Sequence, residues 1–372
     1  MAVEFAKRIA RLPRYPAADS YGNAGELILL ASNESPYPPL QEVREAIAAG
    51  LGELNRYPDP TNAALRRRLS ERYDLPPEQI AIGNGSCDIL LALGEALLEE
   101  GAELLYGWPS FSMYPHLAAA SGARAIEVPL DEEDRYDLER IAAEVTVATR
   151  LVLICNPNNP TSTAHPRERL AAFLERIPTH VCVVIDEAYC EYNLLDGGEG
   201  ALPLLEAHPN LVLLRTFSKA YGLCGLRVGY ALCSSPRLVE ALNQVRQPFF
   251  CNALAQRAAE EALNHADQIA ERVALTIAER EQMAGELAGD GLRVADSQAN
   301  FCWLELPSHP ELEPAELERR TVQRLLAQGV VVRAGSALGR AGYLRVTYGT
   351  AEENERFREA LRTALAELLK KG

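Results

Sequence analysis

One interior amine stands apart from every other cation in the chain. The sequence has 33 arginines and four lysines, and Lys7, Lys370 and Lys371 lie near the ends. The fourth, Lys219, sits inside Thr216-Phe217-Ser218-Lys219-Ala220-Tyr221-Gly222. A guanidinium stays protonated, whereas a lysine amine can lose its proton when its surroundings lower its pKa, and can then attack a carbonyl carbon. Four further groups of chemical interest follow apolar runs of strand length. Gly83-Asn84-Gly85-Ser86-Cys87-Asp88 combines small residues with a helix start and could cradle a phosphate. It lacks the GK[ST] of a Walker A loop, and Asp88 stands where GxGxxG needs its third glycine. Asn156-Pro157-Asn158-Asn159-Pro160 offers amide donors on a stiff loop. Asp186 ends an apolar run, where a carboxylate is costly unless it meets a cation, and Tyr189 follows three residues on. Thr216, Ser218 and Arg227 supply two hydroxyls and a guanidinium around Lys219. Each group taken alone fits an ordinary turn, helix cap or surface charge as well.

Together the groups are more specific. A phosphate cradle, an amide donor, an acid for a ring nitrogen, a tyrosine for a phenolic oxygen and an amine for Schiff-base chemistry are the parts that hold pyridoxal 5′-phosphate.

These groups need a scaffold that gathers strand ends. The pattern predicts strands at Gln79–Ile82, Glu103–Tyr106, Arg124–Val128, Leu151–Cys155, Val181–Ile185, Leu211–Leu214 and Val228–Cys233. Helical patterns fill the gaps, as at Cys87–Glu99, Pro166–Arg176 and Pro236–Val245, which predicts an α/β fold around a mostly parallel sheet. Ligands of such sheets bind beyond the carboxyl ends of the strands. One long helical pattern runs from Asn252 to about Leu287. Beyond it, strands at Leu292–Ala295, Asn300–Leu306, Val330–Arg333 and Tyr343–Thr347 mix with helices at Pro314–Gln328 and Glu352–Leu369. The expected division is a large domain over 46–255 and a smaller α+β domain built from 1–45 and 256–372.

The stretch Thr216-Phe217-Ser218-Lys219-Ala220-Tyr221-Gly222-Leu223-Cys224-Gly225 resembles the attachment pattern of the class II, fold-type I PLP-dependent aminotransferases. The resemblance extends from Leu30-Ala31-Ser32-Asn33-Glu34-Ser35-Pro36-Tyr37 to Tyr343-Leu344-Arg345-Val346-Thr347-Tyr348-Gly349, and within the class it is similar to the histidinol-phosphate aminotransferases. It implies that Lys219 carries the cofactor and moves the substrate proton, and that Asp186 pairs with the pyridine N–H. Tyr189 and Asn159 would bond the ring oxygen, and Phe111 would stack on the ring. Ser86, Cys87, Thr216, Ser218 and Arg227 would hold the phosphate. It further implies a homodimer in which Tyr57 reaches the phosphate of the other subunit. Arg345 would grip the substrate carboxylate and Arg333 a second anionic end, with Asn33, Tyr21 and Tyr114 at the substrate. Cys87-Asp88 replaces a usual Asp-Glu, Ser162 a usual glycine, and Phe111 a frequent tyrosine.

The implied reaction is L-histidinol phosphate plus 2-oxoglutarate. The alternative is an aromatic amino-acid aminotransferase, which Ser297-Gln298-Ala299-Asn300-Phe301-Cys302-Trp303-Leu304 and Gln247-Pro248-Phe249-Phe250-Cys251-Asn252 also resemble. Tyr21, Tyr114, Phe249 and Phe250 are expected near a flat substrate ring and do not separate the two. The reading that stands against both is a PLP-binding fold serving as a regulator or a structural protein.

Composition narrows the classes further. The net charge is −15 and no basic tract occurs, which argues against nucleic acid or an anionic membrane as partner. No apolar run reaches 18 residues, and residues 1–14 have no secretory signal pattern. The eight cysteines form no CxxC pair and read as reduced core thiols of a cytoplasmic protein. The six histidines lack HxH or HExxH spacing, so no metal site is expected.

Overall fold

The computed structural model describes residues 3–12 and 27–369. Strand β1 (Ile28–Leu29) is followed by helices α1 (Gln41–Gly50) and α2 (Ala63–Tyr73). The alternating part then runs β2 (Ile80–Gly83), α3 (Ser86–Leu97), β3 (Glu103–Trp108), α4 (Met113–Ser121), β4 (Arg124–Pro129) and α5 (Leu138–Ala143). It continues through β5 (Thr149–Cys155), α6 (Arg167–Leu174), β6 (Cys182–Asp186), β7 (Leu211–Thr216), β8 (Gly229–Cys233) and α7 (Pro236–Val245).

These seven strands form one sheet in the order β2-β8-β7-β6-β5-β3-β4. All run the same way except β8, which is antiparallel to both β7 and β2. Strands β6 and β7 are buried along their whole length, which explains why they read as unbroken apolar runs rather than alternating ones. The edge strand β4 is largely exposed. Truncating a fully buried side chain such as Leu213 to alanine is expected to cost about 2–5 kcal/mol.

The reversal of β8 brings separate parts of the chain together. Gly83, at the end of β2, pairs with Gly229, which pairs with Thr216 at the end of β7. Arg227, two residues before Gly229, therefore arrives beside the turn Gly83–Ser86. On the other side, Cys155 pairs with Asp186, so the Asn156–Asn159 loop leaves the sheet next to that carboxylate.

The predicted helix from Asn252 to Leu287 is interrupted. It forms α8 (Ala253–Asn264) and α9 (Ala266–Gly289), separated by His265 at φ −118°, ψ 42°. Asn264 and His265 have weak helix propensity, and the His265 Nε2 to Glu261 Oε1 contact of 2.8 Å ties the break to the preceding turn. Strands β9 (Arg293–Val294) and β10 (Phe301–Glu305) follow, then α10 (Pro314–Ala327). The strand predicted over Val330–Arg333 splits into β11 (Val330–Val331), paired with β1, and β12 (Arg333–Ala334), paired with β13 (Tyr343–Thr347). Helix α11 (Ala351–Leu369) closes the described chain.

Two large apolar cores result. One surrounds the seven-stranded sheet and includes Leu40, Val43, Ile269, Val273, Ala299 and Phe301 from outside residues 46–255. The other joins Ile28 and Leu30 to residues between Met283 and Leu368. The loop after β1 thus leaves the second core and crosses to the carboxyl ends of the large sheet.

Candidate active site

A cavity of about 400 Å³ opens at those carboxyl ends, and Lys219 lies in its wall. The lysine follows β7 and its Nζ donates to the Ser32 carbonyl at 3.0 Å. Its pKa is lowered to about 8, chiefly by burial and then by Arg345 and Arg227, with Cys224 and Glu34 acting in the opposite direction. An amine in that range is partly neutral near physiological pH and can act as nucleophile and base.

Asp186 faces the cavity from the end of β6 with 4% exposure. Its Oδ2 accepts from the Tyr114 hydroxyl at 3.0 Å and its Oδ1 from the Ala188 N–H at 3.2 Å. Burial is the main cause of a pKa raised to about 6, a rise that these two donors partly offset. Among the described residues no Lys, Arg or His forms an ion pair with it, so a cationic group delivered by a ligand would satisfy it.

The opposite end of the cavity is built for an anion. Ser86 and Cys87 form the first turn of α3 and line the wall, where backbone N–H groups and the helix dipole favour negative charge. Thr216, Ser218 and Arg227 face the same space. The Thr216 hydroxyl donates to Ser218 Oγ at 2.9 Å and accepts from the Ser218 N–H at 3.0 Å. Arg227 adopts φ +60°, a left-handed conformation that costs a non-glycine residue energy and recurs at functional sites. Its Nη1 donates to the Cys224 carbonyl at 2.8 Å. Glycine is required on both sides of the turn. A Cβ on Gly85, at φ +75°, would lie 2.5 Å from Arg227 Nη2, and a Cβ on Gly229 would lie 2.6 Å from the Ser86 nitrogen. Burial pushes the Cys87 thiol pKa up, so at neutral pH this residue adds no anion of its own to the cradle.

A second anion-binding end lies on β12 and β13. Arg333 and Arg345 are direct cross-strand partners and both line the cavity, with 8% and 7% exposure. Arg345 Nη1 donates to Asn159 Oδ1 at 2.6 Å, and Nη2 to the Ala31 carbonyl. With its oxygen engaged, the Asn159 amide offers its nitrogen as donor. Tyr189 and Phe111 complete the walls that could meet a flat ring.

Of the residues expected from sequence, Ser86, Cys87, Phe111, Asn159, Asp186, Tyr189, Thr216, Ser218, Lys219, Arg227, Arg333, Arg345 and Asn33 line this one cavity. Asn33 works partly through a neighbour, because its Nδ2 donates to the Tyr189 hydroxyl at 3.0 Å. Tyr114 is a correction. It has no exposure, does not line the cavity, and sits behind Asp186 as a hydrogen-bond donor. Phe249 and Phe250 line a separate groove of this chain, with Arg246 and Asn62. Tyr57 is 81% exposed, lies outside the cavity and stacks on Phe249 with ring centroids 4.4 Å apart. Tyr21 lies outside the described residues. Sequence reasoning passed over Ser32, Glu34, Cys224 and Leu338, which also line the wall. The first two belong to a motif it had singled out, whereas Leu338 lies in a short turn with no local signal.

Among the described residues, no three or more His, Cys, Asp or Glu side chains gather into a metal site, and no helix is long and apolar enough to cross a membrane.

The arrangement fits a flat, phosphorylated, carbonyl-bearing cation held between an anion cradle and a buried acid, with an amine in reach. Comparison with known proteins agrees. The sequence profile of the family described as Aminotransferase class I and II matches residues 25–361. An aromatic amino acid aminotransferase of Thermobifida fusca (strain YX) is 43% identical over 351 residues, covering 94% of each chain. One from Cutibacterium acnes (strain DSM 16379 / KPA171202) is 39% identical over 354 residues, covering 95% of this chain and 96% of that one. The crystal structure of histidinol-phosphate aminotransferase from Sinorhizobium meliloti in complex with pyridoxal-5′-phosphate superposes with a TM-score of 0.89 at 28% identity, covering 99% of both chains.

Proposed function

The chain belongs to the class I and II aminotransferase family, and on that premise we propose that it transfers the amino group of an aromatic L-amino acid to a 2-oxo acid. It is an aminotransferase of PLP fold type I, and pyridoxal 5′-phosphate is its cofactor. The observation that carries the choice of donor is the shared name of the curated relatives, which match nearly the whole chain at about 40% identity. The sequence reading ranked L-histidinol phosphate first; these relatives support the reverse order. Histidinol phosphate remains the second reading, favoured by the close superposition on the Sinorhizobium meliloti enzyme.

When bound, the cofactor supplies an aldehyde that captures amines and a ring that takes up the electron pair released at the substrate Cα. In the proposed assignment Lys219 would hold the cofactor, and its freed amine would carry the proton between the substrate Cα and the cofactor carbon that receives the amino group. Its lowered pKa suits a group that must be a base near neutrality. Asp186 pairs with the ring N–H and keeps the ring cationic. Tyr189 and Asn159 bond the ring oxygen, and Phe111 covers one ring face. Ser86 and Cys87 backbone N–H groups, with Thr216, Ser218 and Arg227, hold the phosphate. Arg345 takes the substrate α-carboxylate through a guanidinium that Asn159 orients. Arg333 takes the second carboxylate of a dicarboxylic oxo acid, or the phosphate of the alternative donor. Exposed Tyr57 is assigned to the cofactor phosphate of a second copy, in a homodimer with shared sites.

Single-turnover absorbance of the loaded protein tests the donor. L-Phenylalanine is expected to consume the bound-cofactor band at a higher rate per unit concentration than L-histidinol phosphate. A clear preference for histidinol phosphate would reverse the assignment.

A further inference from the structure

A buried arginine stands behind the phosphate turn and touches no part of the cavity. Arg246, just past the end of α7, has a side chain only 2% exposed. Its Nη1 donates to the carbonyl of Ile82, the residue before the turn begins. Its Nε lies 3.6 Å from Asp88 Oδ2, in the first turn of α3. The same Asp88 oxygen accepts from the Asn84 N–H at 3.1 Å, inside the turn. Arg246 thus contacts the chain on both sides of Gly83–Cys87, and Phe250 closes over its guanidinium at 4.8 Å.

The electrostatics of this corner conflict. A carboxylate in the first turn of a helix stabilises the empty helix. A phosphate bound at that N-terminus meets the carboxylate as a like charge. A buried cation beside Asp88 offsets that repulsion, and the 2% exposure of the Arg246 side chain limits screening of the pair although Asp88 is 26% exposed.

We propose that Arg246 and Asp88 form a positioning pair that sets the phosphate grip, Arg246 neutralising Asp88 and fixing the turn that aims the Ser86 and Cys87 N–H groups. The proposal rests on the assignment of the cofactor phosphate to this turn and is independent of which donor is used. Neither residue lines the cavity.

The test is the dissociation constant of cofactor-free protein for pyridoxal 5′-phosphate and for pyridoxal, which lacks the phosphate. Arg246→Gln is expected to weaken pyridoxal 5′-phosphate about tenfold, as loss of a partly buried charge partner does, and to change pyridoxal less than twofold. Asp88→Asn alone is expected to bind pyridoxal 5′-phosphate at least as tightly as wild type, because a competing charge is gone and the amide oxygen still accepts from Asn84. Adding Asp88→Asn to Arg246→Gln is expected to recover most of the lost affinity. Equal weakening of both cofactors, or no recovery in the double variant, would overturn the pair and leave the phosphate site standing. If Arg246→Gln does not fold, Asp88→Asn decides alone, and weaker binding there overturns the proposal. Equal wild-type affinity for the two cofactors would remove the phosphate site itself, and this pair with it.

Discussion

Arg333 and Arg345 stand directly opposite each other on β12 and β13, two guanidiniums on one face of the same cavity. Like charges in that register destabilise a sheet by up to about 1 kcal/mol. Asn159 and the Ala31 carbonyl absorb part of that cost at Arg345; an anionic substrate would absorb the rest. Arg333→Gln is therefore expected to leave the cofactor-free protein as stable as wild type or slightly more so. The same change should raise KM for 2-oxoglutarate about 10- to 100-fold, the loss of a charge-assisted hydrogen bond, with a much smaller change for pyruvate. Thermal melts and steady-state kinetics with the two acceptors check both halves, and equal KM increases for both acids would place Arg333 elsewhere.

Tyr114 donates to Asp186 from behind the cavity wall. Its hydroxyl hydrogen bond holds the carboxylate pKa below where burial alone would put it. Tyr114→Phe removes that donor without altering the cavity wall, so the Asp186 pKa should rise. The acid limb of the pH–rate profile is expected to move to higher pH, with the ratio of kcat/KM between donors unchanged. A changed donor ratio would restore Tyr114 to the substrate.

Asp186 also makes a prediction about the cofactor-free protein. Its folded pKa of about 6 exceeds the ordinary aspartate value, so the folded state binds the proton more tightly than the unfolded one. The stability this contributes is complete below about pH 4 and is lost as pH rises through about 6. Asp186→Asn should therefore be more stable than wild type at pH 7, by on the order of 2–3 kcal/mol, and the gap should close toward pH 4. Activity should fall by orders of magnitude in the same variant. Urea midpoints measured from pH 4 to 8 would show the convergence, and parallel curves would refute it.

Lys219 has the opposite sign. Its folded pKa of about 8 lies below the ordinary lysine value, so protonation is disfavoured in the folded state. The rate at which cofactor-free protein takes up pyridoxal 5′-phosphate covalently should rise with pH up to about 8 and then level. Borohydride treatment of loaded protein should leave the reduced cofactor on the Lys219 peptide, found by mass mapping. Lys219→Ala should keep its fold, lose the adduct and lose transamination. Wild-type turnover in that variant would sink the assignment.

The sequence alone carried the cofactor chemistry, because that chemistry depends on residue types at strand ends. A single interior lysine, an acid closing an apolar run and a glycine-flanked helix start are local signals, and each reached the cavity it implied. The central strands were equally legible, since burial on both faces leaves an unbroken apolar run.

What needed the tertiary structure was every relation between groups distant in the chain. The reversed direction of β8 brings Arg227 to the Gly83–Ser86 turn, and nothing in residues 228–233 states a direction. Tyr114 reads as an aromatic available to a ligand until α4 packs it against Asp186, 72 residues away. Arg246 looks like one of many surface arginines until its side chain is seen buried beneath the turn at Ile82. Local pattern reports which side chains can do chemistry; which of them face the substrate, and which hold others in place, is fixed by long-range packing that no local pattern encodes.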